Sequence, residues 1–325
     1  MNERNQAFDA TKGFLIILVI MGHVLLGSIS ENLGREVIYF FHMPIFLAIT
    51  GYFTKRTLIN KSIAEILLKY KYRMILPFIY AFAFYTTLAL IRIHISEGLE
   101  IKHFTYRILY PFYHLWYVPA VIIFAFYTKS LERIGCKTSA LIVSCFFFLT
   151  IIFEGLEPNI SDSIWYESLG DKRFYYFFTY YFCGYYLSSR KLSLNKDIVA
   201  FLFLVGITLY GYSTNDLLVG LGKTVANISI IIILFSLLEH SNYKSSFLEK
   251  IGRVSLPIYL WHVAPLLILK NLPISESMYY SVSTIFFILF IYLFVAYEGK
   301  STLTNKYIYG VSPDLAASTK RDNRS

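Results

Sequence analysis

Charge is scarce in this chain. Lys, Arg, Asp and Glu make up 16% of its 325 residues, against 56% hydrophobic residues. Soluble domains carry about 25% charged residues, so the composition argues against a water-soluble fold. Cysteine is scarcer still. Cys136, Cys145 and Cys183 show no ligand spacing, and their odd number argues against both a disulfide framework and a zinc site. There is no HxxxH pair, no glycine-rich phosphate loop and no GxSxG. These absences remove the metallohydrolase, P-loop and serine-hydrolase classes and leave no metal to expect. No carboxylate sits centrally in an apolar run, which weakens proton-coupled transport.

What the chain has is long apolar blocks. Runs at 13–29, 37–53, 74–95, 115–133, 139–155, 173–188, 198–212, 221–238, 254–270 and 278–297 approach the ~20 residues that a bilayer span needs. The pair at 198–212 and 221–238 is the weakest, separated by a polar stretch around Asn215 and Asp216. Only helices or closed barrels satisfy their backbone in lipid. The expected fold is therefore all-α, a polytopic membrane protein of about ten helices. The first run is too long for a signal peptide, and no small-residue cleavage site follows it. With the N-terminus inside, most of the 30 Lys and Arg fall on one side, which predicts both termini cytoplasmic. The net charge of +9 is then a matter of topology, not a nucleic-acid footprint. Residues 1–310 form one membrane domain, and the polar stretch 311–325 is expected to be a disordered cytoplasmic tail. The longest outside segment, 154–173, is acidic and carries Trp165 and Tyr166.

Titratable groups interrupt the apolar runs. In FDATKGFLIILVIMGHV (8–24) the eleven-residue step from Lys12 to His23 returns within about 20° of the same helix face and climbs ~16 Å. Lys12 alone reads as a snorkelling topology residue. His23 is harder to explain that way, because a histidine inside a span faces a cavity or a partner; a hydrogen bond between helices is the competing reading. FFHMPIFLAITGYF (40–53) places His42 at a similar depth, where it either shares acid–base work with His23 or caps a packing layer. KYKYRMILPF (69–78) gathers Lys69, Lys71 and Arg73, which suits lipid headgroups or the phosphates of a cytoplasmic cosubstrate. HLWYVPA (114–120) and SLPIYLWHVAP (255–265) bring His114 near Trp116 and His262 beside Trp261. Pro44, Pro119 and Pro265 follow three of these histidines closely, and kinked helices beside titratable groups suggest a polar cavity.

In these pieces, together with RMILPF and FCGYYL (182–187), the sequence resembles membrane acyltransferase family 3, in its branch of fucose acetylase-like sugar O-acetyltransferases. The six pieces stand in family order across most of the chain. The resemblance implies transfer of an acetyl group from cytoplasmic acetyl-CoA to a hydroxyl of an extracytoplasmic saccharide, in the bacterial cytoplasmic membrane. It assigns the catalytic base to His23 and its basic partner to Lys12. The family's paired-arginine pattern has Arg73 in its second place, whereas Tyr70 occupies the first between Lys69 and Lys71. By the same resemblance, the nucleotide rests on Lys12, Lys69, Lys71 and Arg73, and an extended pantetheine arm spans the ~16 Å to His23. His42 joins the catalytic group, while His114, Trp116, Trp261 and His262 line the acceptor site. A glycan flippase or small-molecule transporter is the rival from another class, although no inverted repeat favours it. A different acyl group or a small-molecule acceptor is the rival within the class. The sequence carries no signal of oligomeric state.

Overall fold

The computed structural model describes residues 6–58, 61–96, 98, 100–110, 114–160, 170–188, 195–241 and 245–311. The expectations for Trp165, Tyr166 and the polar tail lie outside these residues. The described residues form helices and no strands. In chain order they are α1 (Gln6–Val24), α2 (Leu33–Leu58), α3 (Ile63–Tyr70), a π-helical turn (Lys71–Ile75), α4 (Leu76–Ser96), α5 (Ile101–Leu109), α6 (Tyr117–Leu131), α7 (Cys136–Ile160), α8 (Arg173–Tyr176) and α9 (Phe178–Leu187). There follow α10 (Lys196–Tyr212), α11 (Asp216–His240), α12 (Ser246–Arg253), α13 (Ser255–Trp261), α14 (Val263–Leu269), α15 (Glu276–Tyr297) and α16 (Thr302–Tyr307).

Helix covers every apolar run. Among the described residues, α1, α2, the α3–α4 rod, α7, α11 and α15 are long and apolar enough to cross a bilayer; the bent pair α12 with α13–α14 makes a seventh if it counts as one span. The runs at 115–133, 173–188 and 198–212 carry shorter helices, with α6, α9 and α10 of 15, 10 and 17 residues. Fifteen residues rise about 22 Å, against a hydrocarbon core of about 30 Å. The exposed faces fit lipid. Ile285, Ile288 and Leu289 of α15 and Phe201 and Leu204 of α10 are all more than half exposed, and contiguous apolar surface of that kind is unusual in water. The chain is a polytopic helical membrane protein.

The helices group into two compact units. One comprises Met1–Tyr39, Ala64–Val118 and Asn242–Ser325; the other comprises Phe40–Ile63 and Pro119–Ser241. In the first, proline sets the breaks. Pro77 cannot donate to the Arg73 carbonyl four residues back, and its ring crowds that oxygen. The helix widens there into the π turn, and Leu76 N–H bonds Lys71 O instead. Gly310, at φ +67, packs its backbone directly against the released Arg73 carbonyl, where a Cβ would not fit. Pro257 stands in the same relation to Arg253, where α12 ends and the chain bends by 61° into α13–α14. Gly13 of α1 and Gly252 of α12 face one another so closely that a Cβ on either would meet the other helix's backbone.

The second unit repeats these devices. Gly51 of α2 meets the backbone of α9, and Gly184 of α9 meets that of α2. Gly155 and Gly220 pair α7 with α11, and Gly206 and Gly222 pair α10 with α11. The modest runs of α10 and α11 thus become an antiparallel hairpin. Its turn is closed by Asn215, whose side chain accepts from the Leu217 and Leu218 amides at the start of α11. Across the α7–α11 contact, Lys223 pairs with the nearly inaccessible Glu154 at 2.5 Å.

Candidate functional site

Three histidines from distant stretches of sequence converge in the first unit. His23 lies in the last turn of α1, His114 in the turn before α6, and His262 at the junction of α13 and α14. The ring of His262 has its centroid 5.1 Å from that of His23 and 5.1 Å from that of His114. His262 is fully buried and His114 nearly so, while His23 is half-buried. Gly22 lets the end of α1 approach α2: a Cβ there would stand 2.9 Å from the Tyr39 ring. Tyr39 in turn meets His23 edge-on at 6.0 Å.

Backbone carbonyls determine the protonation of two of these rings. A carbonyl oxygen only accepts hydrogen bonds. Nδ1 of His262 lies 2.7 Å from Tyr259 O and Nε2 of His114 lies 3.0 Å from Leu260 O, so each of those nitrogens carries a proton and donates it. In the neutral rings the opposite nitrogens, His262 Nε2 and His114 Nδ1, then hold lone pairs. Tyr259 closes the arrangement by donating its hydroxyl to the His114 carbonyl. Nε2 of His262 and the neighbouring indole Nε1 of Trp261 are both buried without a hydrogen-bond partner. Leaving such groups unmet costs on the order of 1–3 kcal/mol each. A bare acceptor and a bare donor on adjacent residues suit a polar ligand.

The remaining expected residues distribute as follows. Trp261 lies against Phe84 and Tyr85 of α4 at 5.3 and 6.3 Å, and Tyr85 meets His114 at 5.1 Å. Trp116 is buried with its ring edge-on to Tyr117. Lys12 pairs with Asp9 at 2.6 Å, one turn earlier on α1 and almost inaccessible, so part of its charge is already compensated. Lys69 lies in the last turn of α3, and Lys71 and Arg73 belong to the π turn; all three are exposed and belong to the same unit as Lys12. Lys71 sits over the Tyr72 ring at 5.6 Å. His42 is buried on α2, within the second unit.

Tyr39, Tyr85 and Tyr259 went unread in the sequence. Tyr259 carried a faint signal, standing one turn before His262, but with 28 tyrosines in the chain nothing distinguished the other two. The loop that joins α1 to α2 is pinned by Glu31, which accepts from the Ser28 amide at 2.9 Å and the Ser28 hydroxyl at 2.7 Å. Those two bonds hold its carboxyl below the ordinary glutamate value.

Comparison with known proteins adds an independent line. A family model described as an acyltransferase domain, acyltransferase 3, matches residues 5–306. The nodulation protein NolL of Sinorhizobium fredii (strain NBRC 101917 / NGR234) is 30% identical over 128 residues, which is 37% of this chain and 35% of that protein. NolL of Mesorhizobium japonicum (strain LMG 29417 / CECT 9101 / MAFF 303099) is 35% identical over 86 residues, 24% of this chain and 23% of that protein. The matched stretches thus span about a third and about a quarter of those relatives. No solved structure matches.

Proposed function

The chain belongs to membrane acyltransferase family 3, and from that premise we propose that it is an integral-membrane O-acetyltransferase. It moves an acetyl group from cytoplasmic acetyl-CoA to a hydroxyl of an extracytoplasmic envelope glycan, a polysaccharide or its lipid-linked precursor. It sits in the bacterial cytoplasmic membrane, crossing it about ten times with both termini inside. The observation that carries this reading is the group of three imidazoles at one end of α1, with Lys12 ~16 Å back along the same helix.

A sugar hydroxyl attacks a thioester only as its proton is removed, and an imidazole does this near neutral pH. His23, the most accessible of the three rings, is that base. Lys12, Lys69, Lys71 and Arg73 hold the phosphates of the donor, with Asp9 offsetting part of the Lys12 charge. His114, Trp116, Trp261 and the surrounding tyrosines receive the acceptor, and the indole N–H of Trp261 is a donor for developing negative charge.

The test uses inside-out membrane vesicles containing the full chain and acetyl-CoA labelled in the acetyl group. The expected result is CoA thiol release together with label in the envelope-glycan fraction, both lost in His23→Ala. A transporter would move solute without releasing CoA, and that outcome would sink the reading. Topology is checked separately, with single cysteines at Ser30 and Ser62 in a background lacking the three native ones. An impermeant thiol reagent applied to intact cells should label position 30 and spare position 62.

A further inference from the structure

His262 is the least accessible of the three imidazoles, yet one of its nitrogens has nothing to bind. Nδ1 donates to Tyr259 O at 2.7 Å, which fixes the ring's orientation and its neutral tautomer. Nε2 therefore presents a lone pair, and it is buried without a partner. His114 donates its Nε2 proton to Leu260 O, so that proton is committed elsewhere. Tyr259 commits its hydroxyl to the His114 carbonyl. His23 is the other ring at 5.1 Å from His262. Two imidazoles joined by one N–H···N bond of about 2.9 Å have centroids close to that separation, so the two rings stand at the spacing such a bond requires.

We propose that Nε2 of His262 accepts a hydrogen bond from an N–H of His23 during the reaction, and that His262 is the residue that orients the base. This rests on the reading of His23 as the base of an acyl transfer. With one nitrogen of His23 donating to His262, its other nitrogen faces the acceptor hydroxyl as a lone pair. The acceptor O–H bond breaks and its proton moves to that nitrogen. The oxygen forms its bond to the thioester carbonyl carbon. The C–S bond then breaks, and the departing sulfur takes the proton back from His23. His262 ends as it began, still protonated on Nδ1 and still accepting through Nε2. It is a positioning residue, doing for His23 with a neutral lone pair what a carboxylate does in a hydrolase triad. In a site removed from water a neutral acceptor avoids burying a charge.

Two substitutions separate this role from packing. In His262→Asn the short amide mimics Nδ1 and keeps the Tyr259 bond, but it ends before the position of Nε2. In His262→Gln the longer side chain brings an amide oxygen near that position. Both variants, the parent and His23→Ala are assayed as full-length protein with labelled acetyl-CoA in inside-out vesicles, after gel filtration and thermal melting establish an intact fold. The expected result is a fall in kcat of about 10²–10³-fold for His262→Asn, with KM for acetyl-CoA unchanged and kcat at least tenfold higher in His262→Gln than in His262→Asn. Parent-like kcat in His262→Asn with His23→Ala inactive would overturn the positioning role and leave the acyltransferase reading intact. Equal losses in Asn and Gln would overturn it as well, by assigning His262 to packing. Parent-like turnover in His23→Ala would overturn the base assignment itself.

Discussion

The side-chain amide of Asn227 donates a 3.0 Å hydrogen bond to the main-chain carbonyl of Phe40, four residues before Pro44. That carbonyl is the one whose helical partner the proline removes. Asn227 is fully buried on α11 and reaches α2 inside the second unit. In lipid an unmet carbonyl has no water to turn to, so a proline-broken span needs a repair of this kind from a neighbouring helix.

A double-mutant cycle tests the repair. Asn227→Leu should cost about 1–2 kcal/mol of unfolding free energy in a membrane-mimetic titration. In a Pro44→Ala background the residue 44 amide returns to the Phe40 carbonyl, and the same Asn227→Leu change should cost less. Additive effects would dismiss the pairing.

The glycine contacts predict opposite outcomes at two positions of similar appearance. Gly252→Ala places a methyl group against the Asp9 backbone of α1, and relieving such overpacking typically costs about 1–3 kcal/mol. Gly211→Ala meets nothing within 4 Å and gains helix propensity of about 0.5–1 kcal/mol. Thermal melting in detergent should lower the midpoint for Gly252→Ala and hold or raise it for Gly211→Ala. Similar shifts in both would remove the close α1–α12 crossing.

Lys12 and Asp9 make a graded prediction for donor binding. Removing the cation in Lys12→Ala should weaken acetyl-CoA affinity by about 10–150-fold, corresponding to the ~1.5–3 kcal/mol of a charge-assisted contact. Lys12→Arg should recover most of it. Asp9→Asn frees the ammonium from its 2.6 Å pair and should leave affinity equal or tighter. Calorimetry on the purified chain reads all three. No change in Lys12→Ala would return that lysine to a role in topology alone.

Glu31 gives the α1–α2 loop a pH dependence of known sign. Its folded value lies below the ordinary 4.5, because of the bonds from Ser28. The stabilisation is therefore fully present above pH 4.5 and is lost as pH falls through the lowered value. Hydrogen exchange of the Ser28 amide, corrected for its intrinsic rate, should accelerate below pH 4.5. Glu31→Gln should remove most of that pH step. A step that persists in the glutamine variant would point to another titrating group.

Much of this architecture was already written in the linear order of residues. Helix covers all ten apolar runs, because 1.5 Å per residue and the cost of unmet backbone in lipid leave such runs little choice. The His23 end of α1 was equally legible, since an imidazole inside an apolar run is out of place wherever the chain goes. Span lengths were less so. The run at 115–133 holds a helix of only 15 residues, because the chain enters it through the turn that carries His114.

The sequence alone determined a helical membrane protein, its family, and a list of titratable residues worth suspecting. Which of them meet was decided by tertiary structure. His23, His114 and His262 are far apart in the chain, and their 5.1 Å spacings depend on where α1, α13 and the turn before α6 pack against one another. The tautomers of His114 and His262 follow from carbonyls on the bent α13, a geometry that no local spacing encodes. Nor does the sequence reveal that Lys12 shares its charge with Asp9 at 2.6 Å. Local pattern sets the periodicity of a helix and which residues share its face. Contact between faces is a property of packing, and packing becomes defined only once the chain has closed on itself.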